Sequence, residues 1–275
     1  MNVILFKLTL LLYLAATAGY LVYIISQQKP AGRVALGVAI AGFFFHTATI
    51  IVRYYEAGYA PVTNLHESLS FFAWALIGGY LYIHVRYKVK NLGAFATPIA
   101  ALSMIASSTL PKKIVALPPV LKSYWLPIHA TVYFLAYGIL AVAACAGIMY
   151  LIQERQIKKK KFGAFYQRLP SLEVLDAINY RCLTIGFPLL TVGILTGSLW
   201  AEQAWGAHWQ WDPKETWSLV SWLFYAALLH ERLAVGWRGR RAAIMAIIGL
   251  GALLFTFLGV SLLLKGLHTY AGWGV

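Results

Sequence analysis

The segment WAEQAWGAHWQWDPKETWSLVSW, residues 200–222, carries six of the ten tryptophans of this 275-residue chain. It joins two apolar runs, near residues 183–199 and 218–233, whose lengths approach that of a bilayer crossing. Each indole offers a broad π-face and one N–H donor. Six of them in one loop at a membrane surface form a flat, rigid, amphipathic platform, suited to a flat, apolar, conjugated ligand. An interfacial aromatic belt is the plainer reading, but belts place Trp singly at helix ends. Here the indoles share one loop with Gly206, Asp212 and Pro213.

Outward from this loop the composition is that of a membrane protein. The chain is 60% hydrophobic and 12% charged, against about 25% charged in soluble domains. Apolar runs near the roughly 20 residues that cross a 30 Å hydrocarbon core fall at residues 3–26, 35–53, 69–85, 94–108, 128–152, 183–199, 218–233 and 243–264. Backbone polar groups in lipid have to be satisfied internally, so these runs are expected to be helices. The reading is an all-α, polytopic integral membrane protein of about eight transmembrane helices, one domain over residues 1–275. The fourth run is the weakest, being short and interrupted by Pro98. The first is too long for a signal peptide, carries only Lys7 as a basic residue and lacks a small-residue cleavage site, so residues 3–21 read as a retained helix. Cys145 and Cys182 form no CxxC and lie in or beside apolar runs, as core residues do.

The net charge of +14 is distributed by topology. With the N-terminus outside, alternate loops collect Lys29 and Arg33, then Arg86, Lys88 and Lys90, then the cluster from Arg155 to Arg181, then Arg232, Arg238, Arg240 and Arg241. Those loops hold 16 of the 23 basic residues, and the positive-inside rule makes their side cytoplasmic. Both termini and the tryptophan loop, residues 200–217, then face outward. The lysine run at 158–161 lies in a basic cytoplasmic loop, residues 153–180, as an orientation signal and a contact for anionic lipid; nucleic acid is not an expected partner. Within that loop an amphipathic stretch near 169–178 is expected to lie on the membrane surface.

Local chemistry singles out further positions. Asp212 before Pro213 fits a helix start, with Asp212 as cap and Glu215 completing a capping box three residues later. Asn64 and Glu67 fit a second helix start. His129 opens the fifth helix on the outside and His268 follows the last helix on the same side, with the tryptophan loop between them in sequence. His230 falls near the cytoplasmic end of the seventh helix, where an ionisable residue is costly and a functional candidate by default. His46 and His84 read as packed or snorkelling side chains, or as partners for His230.

The loop core WGAHWQWDPKETW, residues 205–217, resembles the WWD signature of the haem-handling proteins of cytochrome c maturation, and its DPKETW ending is most similar to the CcsA/ResC family of System II. A second segment, APVTNLHESLSFFAW, resembles that family's P-x-x-N-x-Y-E-S-x-x-x-x-x-W: Asn64, Glu67, Ser68 and Trp74 match, while His66 stands where Tyr is usual. The resemblance implies haem b resting on Trp205, Trp209, Trp211, Asp212 and Trp217, with His129 and His268 as external axial ligands of the iron and His230 as a membrane-embedded one. In fused members the second intramembrane ligand comes from a CcsB-like portion, so a CcsB/ResB-like membrane subunit is the implied partner. Lys214 is a candidate for a haem propionate, with interfacial snorkelling as the alternative. His208 stands at a variable position of the signature.

By the same resemblance, the protein brings haem to the outer face and presents it to the CxxCH segment of apocytochrome c, whose two thiols add across the vinyl groups. It would be a subunit of a holocytochrome c synthase, or haem lyase, complex in the bacterial cytoplasmic membrane or a thylakoid-type membrane, served indirectly by thiol-reducing proteins. Nothing in the sequence resembles a nucleophile–base pair or an ATP site, so catalysis would be positioning, with haem carrying the chemistry. Two other readings stand beside it: CcmC-like haem delivery to a carrier protein, and transport of an amphipathic substrate through an aromatic gate. The orientation is open to direct test. Single cysteines placed at Ser123 and Ala207 are expected to react with an impermeant thiol reagent from outside, and one at Gly163 only after permeabilisation. Reaction at Ala207 solely from the cytoplasmic side would reverse the topology.

Overall fold

The computed structural model describes residues 2–26, 28–114, 116–118, 121–264 and 266, and every regular element among them is helical. The order is α1 (Asn2–Ser26), α2 (Lys29–Ala57), α3 (Leu65–Tyr87), a short 3₁₀ turn (Lys90–Leu92), α4 (Gly93–Ser108), α5 (Trp125–Lys158), α6 (Ala164–Arg168), α7 (Leu172–Trp205), α8 (Pro213–His230), α9 (Arg240–Leu254) and α10 (Val260–Leu263). A π-helical turn, Glu231–Val235, extends α8, and a second, Phe255–Gly259, joins α9 to α10.

Seven of these helices are long and apolar enough to cross a membrane. Helix α8, which contains most of the seventh expected span, is not among them. It has 18 residues and carries Lys214, Glu215, Thr216, Ser218 and Ser221, so it is less apolar than the rest. Helices α5 and α7 exceed expectation, at 34 residues each. At 1.5 Å per residue that is about 50 Å, well beyond a 30 Å hydrocarbon core. The stretch near 169–178 is therefore not a separate surface helix: most of it is the first turns of α7. Ser171 caps those turns, accepting from Val174 N–H at 3.4 Å. Leu175 and Ile178 are buried there, and Asn179 Nδ2 donates to the Ala143 carbonyl of α5 at 3.1 Å.

Helix α5 is the hub, packing on α3, α7 and α9. Its middle, Gly138 to Gly147, is a run of mostly small residues, and small residues let helix backbones approach in lipid, where apolar side chains gain little from leaving one another's company. Gly138 lies against the Ala75 backbone of α3 too closely to admit a Cβ, and a Cβ at Gly147 would fall 2.8 Å from the Ala243 carbonyl of α9. Cys145 and Cys182 are both buried, as core residues.

Two ion pairs fasten the ends of this bundle. Arg53 near the end of α2 donates through Nε (3.0 Å) and Nη2 (2.8 Å) to Glu67 Oε1 in the first turn of α3. Glu67 Oε2 accepts from Thr63 N and Oγ1, both at 3.0 Å, and Asn64 caps α3 by accepting from Glu67 N–H at 2.9 Å. The Asn64/Glu67 helix start expected from sequence is thus present, with a buried guanidinium added. At the opposite end Arg232 grips Asp176 at 3.0 and 2.9 Å, and Asp176 Oδ1 also accepts from Gly239 N–H at 2.8 Å, tying the α8–α9 connection to α7. Removing one partner of a buried pair strands the other charge, at a cost of about 3–5 kcal/mol. Glu67→Ala is therefore expected to lower the melting temperature in detergent clearly, and Arg53→Met/Glu67→Ala to recover part of that loss; equal melting of wild type and Glu67→Ala would refute the assignment.

Candidate functional site

The first turns of α5, the last turns of α7, the loop after α7 and the start of α8 converge on one cleft, closed on one side by the π turn Phe255–Gly259. It encloses about 1230 Å³ of empty space, its open mouth included. Seven aromatic side chains stand in its wall: Tyr133, Phe134 and Tyr137 from α5, Trp200 and Trp205 from α7, Trp209 from the loop and Phe257 from the π turn. The spacing of His129, Tyr133 and Tyr137 by four residues puts them on one face of α5.

His129 is the imidazole of this wall. Its Nδ1 lies 2.7 Å from the Gly193 carbonyl of α7. As a carbonyl only accepts, Nδ1 carries the proton, and in the neutral ring Nε2 is left with the lone pair. Trp200 lies nearly parallel to the ring, at 18° and 6.2 Å between centroids, and Trp205 stands edge-on to Trp200 at 5.0 Å. Gly197, one turn after Gly193, makes the room: a Cβ there would fall 2.7 Å from the imidazole Cε1 and Nδ1.

The loop is pinned from α8. Gly206 closes α7 in the left-handed conformation, φ 75°, its N–H donating to Glu202 O at 2.9 Å. The expected capping box is present: Asp212 accepts from Lys214 N–H at 3.1 Å, and Glu215 Oε2 accepts from Asp212 N–H at 3.2 Å and Gln210 N–H at 2.8 Å. Lys214 Nζ donates to Ser261 Oγ of α10 at 2.9 Å. Desolvation in the cleft wall holds its pKa down to about 8, against the opposing pull of the Asp212 carboxylate.

The structure separates the residues singled out from the sequence. His129, Trp205 and Trp209 share the cleft wall. Asp212 is buried beneath the loop. Trp211, with φ 57° and 67% exposure, stands perpendicular to Trp209 outside the lining. Trp217 braces edge-on against Phe255 at 4.6 Å, also outside it. His230 is exposed at the end of α8, remote in sequence from the cleft-lining start of that helix. His268 lies outside the described residues; Gly266, two positions earlier, is packed against Asp212 and Pro213.

Of the other histidines, His46 has both ring nitrogens engaged, Nδ1 with Tyr13 Oη at 3.1 Å and Nε2 with Ser70 Oγ at 2.9 Å, and is wholly buried. His66 is packed on Ser107, its Nδ1 2.8 Å from Oγ and 2.9 Å from the carbonyl oxygen. His84 is buried on α3 with no hydrogen-bond partner for Nδ1 among the described residues. His208 lines the cleft while exposed, 3.6 Å from Glu202. Sequence reasoning did not single out Trp200, Tyr133, Gly193 or Gly197 as site residues. The four-residue spacings 129/133/137 and 193/197 were the available signals.

Over residues 62–268 the chain matches the family described as Cytochrome C assembly protein. It is 39% identical over 274 residues to a cytochrome c biogenesis protein CcsA of Synechococcus sp. strain CC9605, covering 90% of each chain. It is likewise 39% identical over 249 residues to a CcsA of Guillardia theta, covering 82% of each. Its fold is shared with a structure titled Cytochrome c Heme Lyase CcmF, with a TM-score of 0.69 over 94% of this chain at 14% identity; the chain spans about half, 46%, of that protein's length. This multi-pass membrane protein belongs to the cytochrome c assembly protein family, on its CcsA/ResC branch. The packing at Gly197 yields a sharp expectation. Gly197→Ala should leave the protein folded, since Ala favours helix, but should displace the His129 ring and mimic His129→Ala in any ligand spectrum; an unchanged spectrum would show that the ring is not held there.

Proposed function

We propose that the protein is a haem-handling subunit of a cytochrome c synthase complex, holding haem b in the outer cleft and presenting it for attachment to the CxxCH segment of apocytochrome c. The observation that carries this reading is His129, an oriented imidazole in the wall of a cleft lined with indole and phenol rings. Histidines that bind metals usually give their second N–H to a carbonyl or carboxylate, as His129 gives Nδ1–H to Gly193. The residues present suit haem: flat aromatic walls for a flat macrocycle, an imidazole for iron, and the buried Nε1–H of Trp209, which has no hydrogen-bond partner among the described residues. The family membership and the curated relatives' name, cytochrome c biogenesis protein, support the same reading.

When bound, haem supplies the vinyl groups that take up the two thiols. The chain supplies geometry. His129, its ring positioned by Gly193 and Trp200, and His268 would hold the haem iron. Trp205 and Trp209 would bear the ligand inside the cleft, while Trp211, perpendicular to Trp209, and Trp217, packed on Phe255, lie outside it. Asp212 and Glu215 keep the loop rigid, which lowers the cost of binding a flat ligand. Tyr133, Phe134 and Phe257 exclude water from the macrocycle and so protect reduced iron.

His230 is proposed as a ligand at an inner site completed by a CcsB/ResB-like subunit, because its exposure on α8 leaves it accessible to another chain. His46 is committed to Tyr13 and Ser70, so His84 is the competing donor. The setting is the bacterial cytoplasmic membrane or a thylakoid-type membrane, with thiol-reducing proteins acting on the apocytochrome.

Two outcomes test this. His129→Ala and His268→Ala should each abolish covalent cytochrome c formation in a reconstituted pathway, with partial recovery on adding millimolar imidazole; normal yields from both without imidazole would sink the reading. In the complex with its partner, His230→Ala should reduce the haem that reaches the outer cleft, while haem added directly still binds there. A purified wild-type complex without any haem spectrum would favour the transporter reading.

A further inference from the structure

His66 lies outside the aromatic cleft, yet its ring is oriented in the same way as that of His129. Its Nδ1 is 2.9 Å from the Ser107 carbonyl, while Ser107 Oγ donates back to the His66 carbonyl at 2.8 Å. A carbonyl only accepts, so Nδ1 carries the proton and the neutral ring keeps its lone pair on Nε2. No described residue bonds that nitrogen, although His66 is only 8% exposed. The residue lines a second cavity, of about 390 Å³ with its mouth included, between the first turns of α1, the end of α2, the start of α3 and Lys112 beyond α4. This is a surface end of the bundle: apolar helices long enough to cross a membrane begin at Val3 and Leu65, and another ends at Ala57.

Most polar groups of this cavity are already engaged. Glu67 gives Oε1 to Arg53 and Oε2 to Thr63, and Arg53 Nη1 donates to the Lys112 carbonyl at 2.9 Å. Ser70 Oγ meets His46 Nε2, and Thr49 Oγ1 donates to the Phe45 carbonyl. What remains is a cation and a lone pair. Lys112 Nζ stands 5.6 Å from the Phe6 ring centre and forms no ion pair among the described residues; Phe6 in turn lies 5.1 Å from the His66 ring. Arg53 and Glu67 cancel, which leaves Lys112 as the net charge of the lining. Val3, Phe6 and Ile50 form the apolar side, and Ile4 and Ile51, next to them in sequence, are exposed on α1 and α2.

We propose that this cavity holds the headgroup of an anionic phospholipid that also bears a hydroxyl, with the phosphodiester on Lys112, the hydroxyl donating to His66 Nε2 and the acyl chains along Ile4 and Ile51. Water would satisfy the imidazole but leave the ammonium without a counter-charge. A metal cation would meet Lys112 and a carboxylate, Glu67, whose two oxygens are both taken. A phosphodiester with a free hydroxyl supplies both missing partners, and its chains match the apolar flank. The site is independent of the cleft and of haem.

The test titrates the full chain in detergent with dioleoyl lipids and counts bound lipid by native mass spectrometry. The probes are phosphatidylglycerol, phosphatidylmethanol, which keeps the charge but lacks a hydroxyl, and phosphatidylcholine, which has neither net charge nor donor. Binding that is lost in Lys112→Met belongs to this cavity rather than to the basic loop after α5, and that variant keeps the backbone carbonyl that holds Arg53. A neutral hydrogen bond corresponds to about five-fold in affinity and a charge-assisted one to about ten-fold. Lys112→Met should therefore weaken phosphatidylglycerol about ten-fold at this site, and wild type should prefer it to phosphatidylmethanol by about five-fold. Phosphatidylcholine should show no binding that depends on Lys112. The headgroup comparison is made on the wild type, so it stands even if a His66 variant fails to fold. Equal affinity for phosphatidylglycerol and phosphatidylmethanol, or lipid binding unchanged in Lys112→Met, would overturn the proposal. Displacement of phosphatidylglycerol by millimolar sn-glycerol 3-phosphate would overturn it as well, by making a free phosphoester the occupant.

Discussion

Backbone-close packing along α5 is the constraint on which the rest of the structure depends. In lipid, apolar side chains have no water to leave, so helices associate through close contact and hydrogen bonds rather than through hydrophobic burial. Gly138 against Ala75 and Gly147 against Ala243 bring α3 and α9 onto α5, and Gly186 meets Leu140 from α7. The same small-residue logic continues outward into the site, where Gly193 and Gly197 of α7 give the His129 ring a carbonyl and a space. The site is thus an extension of the packing that holds the bundle together.

The indoles of the loop meet at steep angles, and what they share is a rigid support. Here its rigidity comes from α8, whose capping box ties Gln210, Asp212 and Lys214 through two carboxylates. Trp211 stands at positive φ within that tied segment, an uncommon conformation for a bulky residue and one that persists where its surroundings impose it. Side chains two residues apart, Trp209 and Trp211, are turned into the wall and out to the surface by that local twist. Behind them, the π turn Phe255–Gly259 re-aims Thr256 and Phe257 toward the cleft, and π turns are frequent at functional sites.

The protein has two ends with different fastenings. At the α2–α3 end a buried guanidinium and carboxylate close the bundle; Asn64 and Glu67, part of the family resemblance, serve the cap and ion pair there, while Ser68 of the same segment lines the cleft. At the other end the Arg232–Asp176 pair holds the turn that follows His230, leaving that imidazole exposed on a fixed support.

Much of this was legible in the chain itself. Hydropathy set the helical membrane class, because spans need length and apolarity that composition displays directly. The capping box at Asp212 and Glu215 and the cap at Asn64 were readable, because caps are local and depend on spacing alone. The tryptophan loop marked a candidate site by density, and Trp200, Trp205 and Trp209 do line the cleft. What the sequence left undecided were relations between distant residues. Helix lengths beyond the hydrocarbon were not visible, because the polar start of α7 is held by Ala143 and Arg232 and the polar end of α5 by Arg240, partners that hydropathy does not register. Nor could periodicity separate His129, oriented by Gly193, from His46, consumed by Tyr13 and Ser70. Both are histidines on apolar helices, and only the carbonyl, hydroxyl or space that folding sets against each ring decides what its nitrogens have left to give.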